Sequence, residues 1–156
     1  MKINIRKATK NDIVHVYDLI QELAEYEKAP GEVSLTLNEL QNDGFGDNPS
    51  YYCLVAETEE QIIGMALYYI KYSTWKGKCI FLEDIIVKEI YRRQKIGKQL
   101  FEEVLSIAKK WKVARVEWQV LDWNTPAIKF YEKYHAQFLK EWISCRLSDD
   151  QIKGFH

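Results

Sequence analysis

Apolar residues recur along the chain with two different periods, and the switches between them mark out the elements. Residues 2–7 alternate well enough for a first strand. Thr9 and Asp12 stand at capping-box spacing, ahead of a helix whose apolar stripe is Ile13, Val16, Tyr17, Ile20, Leu23 and Ala24. Pro30-Gly31 breaks the chain, and LTLNELQND predicts a short second helix that ends at Asp43-Gly44. YYCLVAE and QIIGMALYYIKY read as two strands of a hairpin, joined by a polar turn around Thr58 to Glu60. A β-rich run, CIFLEDIIV (Cys79 to Val87), feeds a basic turn, and then Ile96, Leu100, Phe101, Val104, Leu105, Ala108 and Trp111 fall at helical spacing. ARVEWQVL predicts another strand, and Asn124-Thr125-Pro126 a helix start, since proline is tolerated in the first turn. A short helix through Tyr134 and two closing strands, near Gln137 to Leu139 and Trp142 to Leu147, complete the expectation. Antiparallel hairpins followed by a strand–helix–strand unit imply an α/β (α+β) fold, with a mixed, mostly antiparallel sheet and helices on both faces. No repeat, low-complexity stretch or linker interrupts the pattern, so residues 1–156 are expected to form a single domain.

Length and charge narrow the classes. A chain of 156 residues can bury a sizeable core without metal or disulfide support. A net charge of −1 argues against bulk attraction to nucleic acid or membrane. The charge is unevenly spread: residues 1–60 carry five Lys/Arg and twelve Asp/Glu, residues 92–133 ten and five. An acidic half and a basic half suit an amine and a polyphosphate, and equally suit ordinary solvated faces. Three separated cysteines, Cys53, Cys79 and Cys145, fit reduced thiols better than a disulfide framework. His15, His135 and His156 show no metal-ligand spacing with them, so no metal is expected. MKINIRKATKND lacks the apolar stretch of a signal peptide, and the run IIGMALYYI is too short for a bilayer. A soluble, cytoplasmic protein is expected.

Two segments carry chemistry. In YRRQKIGK (Tyr91 to Lys98), Arg92, Arg93, Lys95 and Lys98 surround Gly97 at a helix N-terminus, whose unpaired N–H groups and macrodipole favour anions. The turn is neither GxxxxGK[ST] nor GxGxxG. Alone it fits a phosphate site and a solvated helix start equally. In FLEDIIV, Glu83 and Asp84 are adjacent within an apolar strand, and in a regular strand they would face opposite sides. An exposed edge or a bulge is one explanation. The other is amine chemistry: an alkylammonium of pKa near 10.4 is only about 0.1% neutral at pH 7.4, so a carboxylate that binds the cation and takes its proton removes an obstacle to attack.

The order strand, Arg-x-x-x-x-Gly turn, long helix, strand, Asn-helix with Phe-Tyr resembles the GCN5-related N-acetyltransferase (GNAT) family. Arg92, Ile96 and Gly97 fit that family's Gln/Arg-x-x-Gly-x-Gly/Ala signature, whereas Lys95 stands where the first glycine is usual. A left-handed backbone at position 95 would cost a lysine about 1 kcal/mol or more relative to glycine. The reading preferred from sequence is that position 95 avoids that conformation, its amide donating and its ammonium adding a phosphate contact. LAEYEK, DGFGDNP, YSTWKGK, FLEDIIV, VLDWN and KFYEK, in that order across residues 3–148, resemble the diamine acetyltransferase branch, which comprises spermidine/spermine N1-acetyltransferases and thialysine N-epsilon-acetyltransferases.

The resemblance implies acetyl-coenzyme A as co-substrate. It implies a pyrophosphate held by the amides of Arg93, Gln94, Lys95, Ile96, Gly97 and Lys98, with Arg92 beside them, and a pantetheine arm paired with the backbone of Ile85, Ile86 and Val87. It assigns Glu83 to proton removal, Asp84 to a second cation contact, and Tyr131 to protonation of the leaving thiolate. Asn124 becomes a coenzyme contact, although it is also a good helix N-cap. Tyr26, Glu27, Trp75 and Trp142 match residues of the amine channel; without the resemblance each is structural. The spermidine/spermine type carries Tyr-Asp-Pro-Trp where this chain has Tyr72-Ser73-Thr74-Trp75, and the thialysine type has the Ser-Thr-Trp-Lys-Gly found at Ser73 to Gly77. The expected substrate is therefore a lysine-like small-molecule amine such as thialysine. The alternatives are a polyamine and a non-catalytic coenzyme A-binding or amine-sensing module. Direct attack without an acyl-enzyme is expected, because no histidine is placed by sequence to activate a cysteine. The branch implies a homodimer.

Overall fold

Five strands form one sheet in chain order in the computed structural model, which describes residues 1–156. They are β1 (Asn4–Lys7), β2 (Tyr52–Glu57), β3 (Ile62–Ser73), β4 (Gly77–Val87) and β5 (Val116–Glu117). The first four are antiparallel neighbours, and β5 runs parallel to β4. The chain divides into two compact units, residues 1–119 and 120–156. The first holds the whole sheet with α1 (Ile13–Tyr26), α2 (Leu37–Phe45) and α3 (Ile96–Trp111); the second holds α4 (Thr125–Glu132) and α5 (Asp149–Lys153).

Strand alternation sorts the core into two layers. Cys53 and Val55 of β2, Met65 and Leu67 of β3 and Ile86 of β4 cluster with Ile13, Val16 and Leu19 of α1 and Leu40 of α2. The opposite face meets α3, which buries Ile96, Leu100, Phe101, Val104, Ile107 and Ala108. Each fully buried Leu or Ile side chain contributes about 1.5–3 kcal/mol. Gly64 is required at this contact, because a Cβ there would lie 2.9 Å from the Ile86 carbonyl oxygen and 3.3 Å from Leu100 Cδ1. The helix starts follow the sequence signals. Thr9 N–H donates to Asp12 Oδ2 (2.6 Å), and Thr36 and Glu39 bond reciprocally at the start of α2. Arg6 joins Asp12 (2.7 Å) and Glu57 (2.6 Å), which ties β1 to the entry of α1 and holds the Asp12 carboxyl well below the usual carboxylate range. No helix is long and apolar enough to cross a membrane.

Two expectations are corrected. The strand expected over ARVEWQVL shortens to Val116–Glu117, whose ladder with β4 ends at the pair Phe81–Glu117. Two residues further along β4 the strand carries a bulge at Glu83, and bulges bend a strand and disrupt its ladder. The closing strands near Gln137–Leu139 and Trp142–Leu147 are not paired in a sheet. A turn does form between them, with Trp142 N–H donating to Leu139 O at 3.3 Å. An apolar, β-favouring pattern marks a segment able to pair, but a strand exists only against a neighbour's ladder.

Candidate active site

The bulge decides what the middle of β4 presents. Leu67 pairs with Asp84 and Tyr68 with Leu82, so Glu83 is an extra residue with no partner on β3. Contrary to the regular-strand expectation, Glu83 and Asp84 therefore serve the same face. Asp84 shares the row of Leu67 and Cys53, beneath α1. Tyr69, which packs with the α1 layer and against Phe81 (ring centroids 5.4 Å apart), donates its hydroxyl to Glu83 Oε2 at 3.1 Å. Glu27, the residue capping the C-terminus of α1, adds a third carboxylate.

Electrostatics follow from this convergence. Burial, then the charges of Glu83 and Glu27, push the half-buried Asp84 carboxyl up to about 6. Glu27 is raised by burial. The Tyr69 hydroxyl is pushed up to about 12 by burial and by Glu83 and Asp84, so it remains a donor at neutral pH. A face that charges itself only reluctantly is one that gains when a cation arrives.

The basic turn is built from backbone conformation. Arg93 (φ 64°) and Lys95 (φ 63°) both adopt the left-handed region. The sequence preference for an unstrained Lys95 is thus corrected: the residue at the N-cap of α3 occupies the conformation that the family's glycine would take without cost. The alternation re-aims successive amides, as in anion-binding backbone nests. The first main-chain bond of α3 runs from Gln99 N–H to Lys95 O (3.0 Å), which leaves the N–H groups of Ile96, Gly97 and Lys98 ahead of it. At Gly97 an added Cβ would meet only Val87 Cγ2, at an ordinary 3.8 Å, so the protein's own packing does not demand glycine there. Free amides over an open cradle fit a diphosphate. Lys98 forms an exposed (i, i+4) ion pair with Glu102 at 3.6 Å, the arrangement of a solvated helix residue.

The edge of β4 can be read in the same way. Lys88 N–H bonds Ile63 O at 2.8 Å, so by antiparallel alternation Ile86 bonds towards Met65, while the backbone groups of Ile85 and Val87 turn to the other edge. There the Val87 carbonyl accepts from Arg92 Nε at 2.9 Å. The Arg92 guanidinium also lies over the Tyr26 ring, 4.9 Å from its centroid, so this side chain joins the turn, β4 and the end of α1. Sequence reading placed Arg92 beside the phosphates and missed this second role. It also missed Tyr69; its signal was a tyrosine directly opposite Phe81 on the face of the carboxylates, which appears only once the bulged register is known.

The remaining candidates belong to other elements. Ser73 and Trp75 lie at the tip of the β3–β4 hairpin, where Ser73 Oγ accepts from the N–H groups of Trp75 and Lys76 (both 3.2 Å). Trp75 is exposed. Six residue steps along β4, roughly 20 Å, separate Gly77 from Glu83, so the structure does not bring the hairpin tip to its own chain's carboxylates. Asn124, Tyr131 and Trp142 belong to the second unit. There Asn124 Oδ1 accepts from Ala127 N–H at 3.4 Å as the α4 N-cap, Tyr131 is buried against Phe130 (5.3 Å), and Trp142 is exposed.

Comparison with known proteins supplies the family. Residues 13–136 match the Acetyltransferase (GNAT) family. The chain is 43% identical over 162 residues to the thialysine N-epsilon-acetyltransferase of Bos taurus, covering 97% of this chain and 95% of that one. It is 36% identical over 158 residues to the human spermidine/spermine N(1)-acetyltransferase-like protein 1, covering 95% of this chain and 23% of that longer one. Among solved structures, an integron cassette protein from the mobile metagenome of V. cholerae shares the fold, with a TM-score of 0.79 at 22% identity over 98% of this chain and 96% of that one. A family match over most of the sequence, joined to a full-length relative at 43% identity, fixes the assignment: the chain belongs to the GNAT acetyltransferases and is an acyl-transferring enzyme.

Proposed function

We propose that the chain, acting as one domain, transfers an acetyl group from acetyl-coenzyme A to the side-chain amine of a lysine-like amino acid such as thialysine. The observation that carries this reading is the β4 bulge, which gathers Glu83 and Asp84 on the α1 face beside Glu27. Three carboxylates there attract an ammonium group and hold it. Glu83, the exposed member of the set, accepts the proton that must leave before the nitrogen can attack. Bound acetyl-coenzyme A supplies the activated acyl group as a thioester. The amides of Ile96, Gly97 and Lys98 and the edge groups of Ile85 and Val87 are the residues that would orient it. Tyr131 returns a proton to the departing thiolate, and Asn124 contributes a coenzyme contact from the start of α4. The enzyme works in the cytoplasm as a homodimer, in which a second copy can present the hairpin tip, with Ser73 and Trp75, and the exposed Trp142 to the amine.

The carboxylate cluster also supports a second reading, a polyamine substrate, because spermidine carries cations and no carboxylate. Against it, Ser73 stands where an aspartate would serve a distal ammonium, and Lys76 adds a positive charge to the same hairpin tip. Initial rates of thiol release from acetyl-coenzyme A with thialysine, lysine, spermidine and spermine decide between them. The expected result is the highest kcat/KM for thialysine. A higher value for spermidine or spermine would replace the amino-acid reading with the polyamine one, and no amine-dependent release would overturn both.

A further inference from the structure

The bulge places Glu83 in the chain, but a surplus residue opposite nothing is not fixed by a ladder. What fixes its carboxylate is a side chain from the neighbouring strand. Tyr69 lies one residue beyond the irregularity, paired with Phe81, and reaches diagonally to Glu83 Oε2 at 3.1 Å. Its ring is held by Phe81, at 5.4 Å between centroids, and by the α1 layer, so the hydroxyl has little freedom of its own. We infer that Tyr69 is a positioning residue for acetyl transfer: its hydroxyl holds the bulged Glu83 carboxylate on the α1 face, with one oxygen engaged and the other left to receive the amine's proton. The inference rests on the proposed role of Glu83.

The surroundings favour a donor here. The groups that share this face are the carboxyls of Asp84 and Glu27, the buried thiol of Cys53, Lys71 two residues along β3, and Glu117 opposite Phe81. Lys71 is paired with Glu117, its ammonium lying 2.7 Å from Glu117 Oε2 and 5.6 Å from the Phe81 ring centroid. Arg92 is engaged with Val87 O and the Tyr26 ring. Glu83 thus stands among like charges, and the Tyr69 hydroxyl is the group that bonds it. A charge-assisted hydrogen bond donated to the carboxylate sets its direction. Without it, repulsion from Asp84 and Glu27 turns Glu83 towards solvent.

The test compares Tyr69→Phe, Glu83→Gln and the double variant, with acetyl-coenzyme A and thialysine as substrates. Tyr69→Phe keeps the ring packing and deletes only the hydroxyl. It is expected to lower kcat about tenfold and to leave KM for acetyl-coenzyme A and the thermal midpoint unchanged. In the Glu83→Gln background the same change is expected to cost nothing further, because residues acting through one another are not additive. A tenfold loss that persists in the double variant, or a Tyr69→Phe enzyme with wild-type kcat, overturns the inference and leaves the role of Glu83 standing. A Glu83→Gln enzyme with wild-type kcat removes both.

Discussion

The carboxylate face of β4 and the basic turn before α3 stand a few residues apart in the chain and solve opposite problems by opposite means. On β4 the reagents are side chains, and one irregular backbone step brings Glu83 and Asp84 together with Glu27. In the turn the reagents are main-chain amides, and the side chains matter less than the left-handed conformations of Arg93 and Lys95. Lys98, the most obvious cation of the turn, is spent on Glu102. In the proposed reading a cation is received by carboxylates, of which burial has made Asp84 and Glu27 costly to ionise, and an anion by dipoles that cost nothing to ionise but require backbone strain. The comparison teaches where each site is vulnerable: the first to loss of a functional group, the second to loss of a conformation.

The predictions follow that division, from the largest effect down. Glu83→Gln should lower kcat about 100-fold or more while changing KM for acetyl-coenzyme A little, as initial-rate kinetics would report. A comparable loss of coenzyme affinity would mean that the two regions are not separable. Tyr131→Phe should lower kcat about tenfold or more, with coenzyme affinity by calorimetry nearly unchanged; an unaltered rate removes Tyr131 from the mechanism. In the turn, Lys95→Gly should raise stability by about 1 kcal/mol, or roughly 2–4 °C in thermal midpoint, by relieving the left-handed lysine, whereas Lys95→Ala should not. Coenzyme affinity should stay within about threefold in Lys95→Gly, since the lysine already holds the required conformation. A large gain in affinity would show that the lysine distorts the cradle.

How much of this was legible in the sequence follows the same line. Side-chain chemistry was readable: Glu83 and Asp84 stood out because charged residues are foreign to a strand of Phe, Leu, Ile and Val, and α3 buries Ile96, Leu100, Phe101, Val104 and Ala108 of the expected stripe, adding Ile107 while Leu105 is half-buried and Trp111 exposed. The hairpin of β2 and β3 and the capping-box spacing of Thr9 and Asp12 were readable for the same local reasons. Backbone conformation was not. The adjacent Glu83 and Asp84 raised a bulge as one explanation, but residue types alone could not choose it or place the slip between Leu67 and Tyr68, because a bulge is a relation between two strands. Lys95 is a poor advertisement for positive φ, so its conformation was missed where a glycine would have declared it. Residues 137–147 failed in the other direction, since a strand-like pattern cannot name the partner it needs.

The central claim is that the face shared by Glu27, Glu83 and Asp84 is the amine's seat, and the most direct measurement is thialysine affinity by calorimetry, with coenzyme A present, from pH 5 to pH 7.5. The sign is set by Asp84. Its carboxyl, pushed up to about 6, is mainly protonated at the acid end and ionised at the other, while the alkylammonium of the ligand stays charged throughout. Because the folded protein binds that proton more tightly than the unfolded chain, ionisation lowers stability as pH rises from about 4 to 6, and a bound ammonium offsets the loss. The account predicts roughly tenfold tighter binding at pH 7.5 than at pH 5 in the wild type, with most of that dependence lost in Asp84→Asn. Affinity that is flat across the range in the wild type, or equally steep in Asp84→Asn, would contradict it.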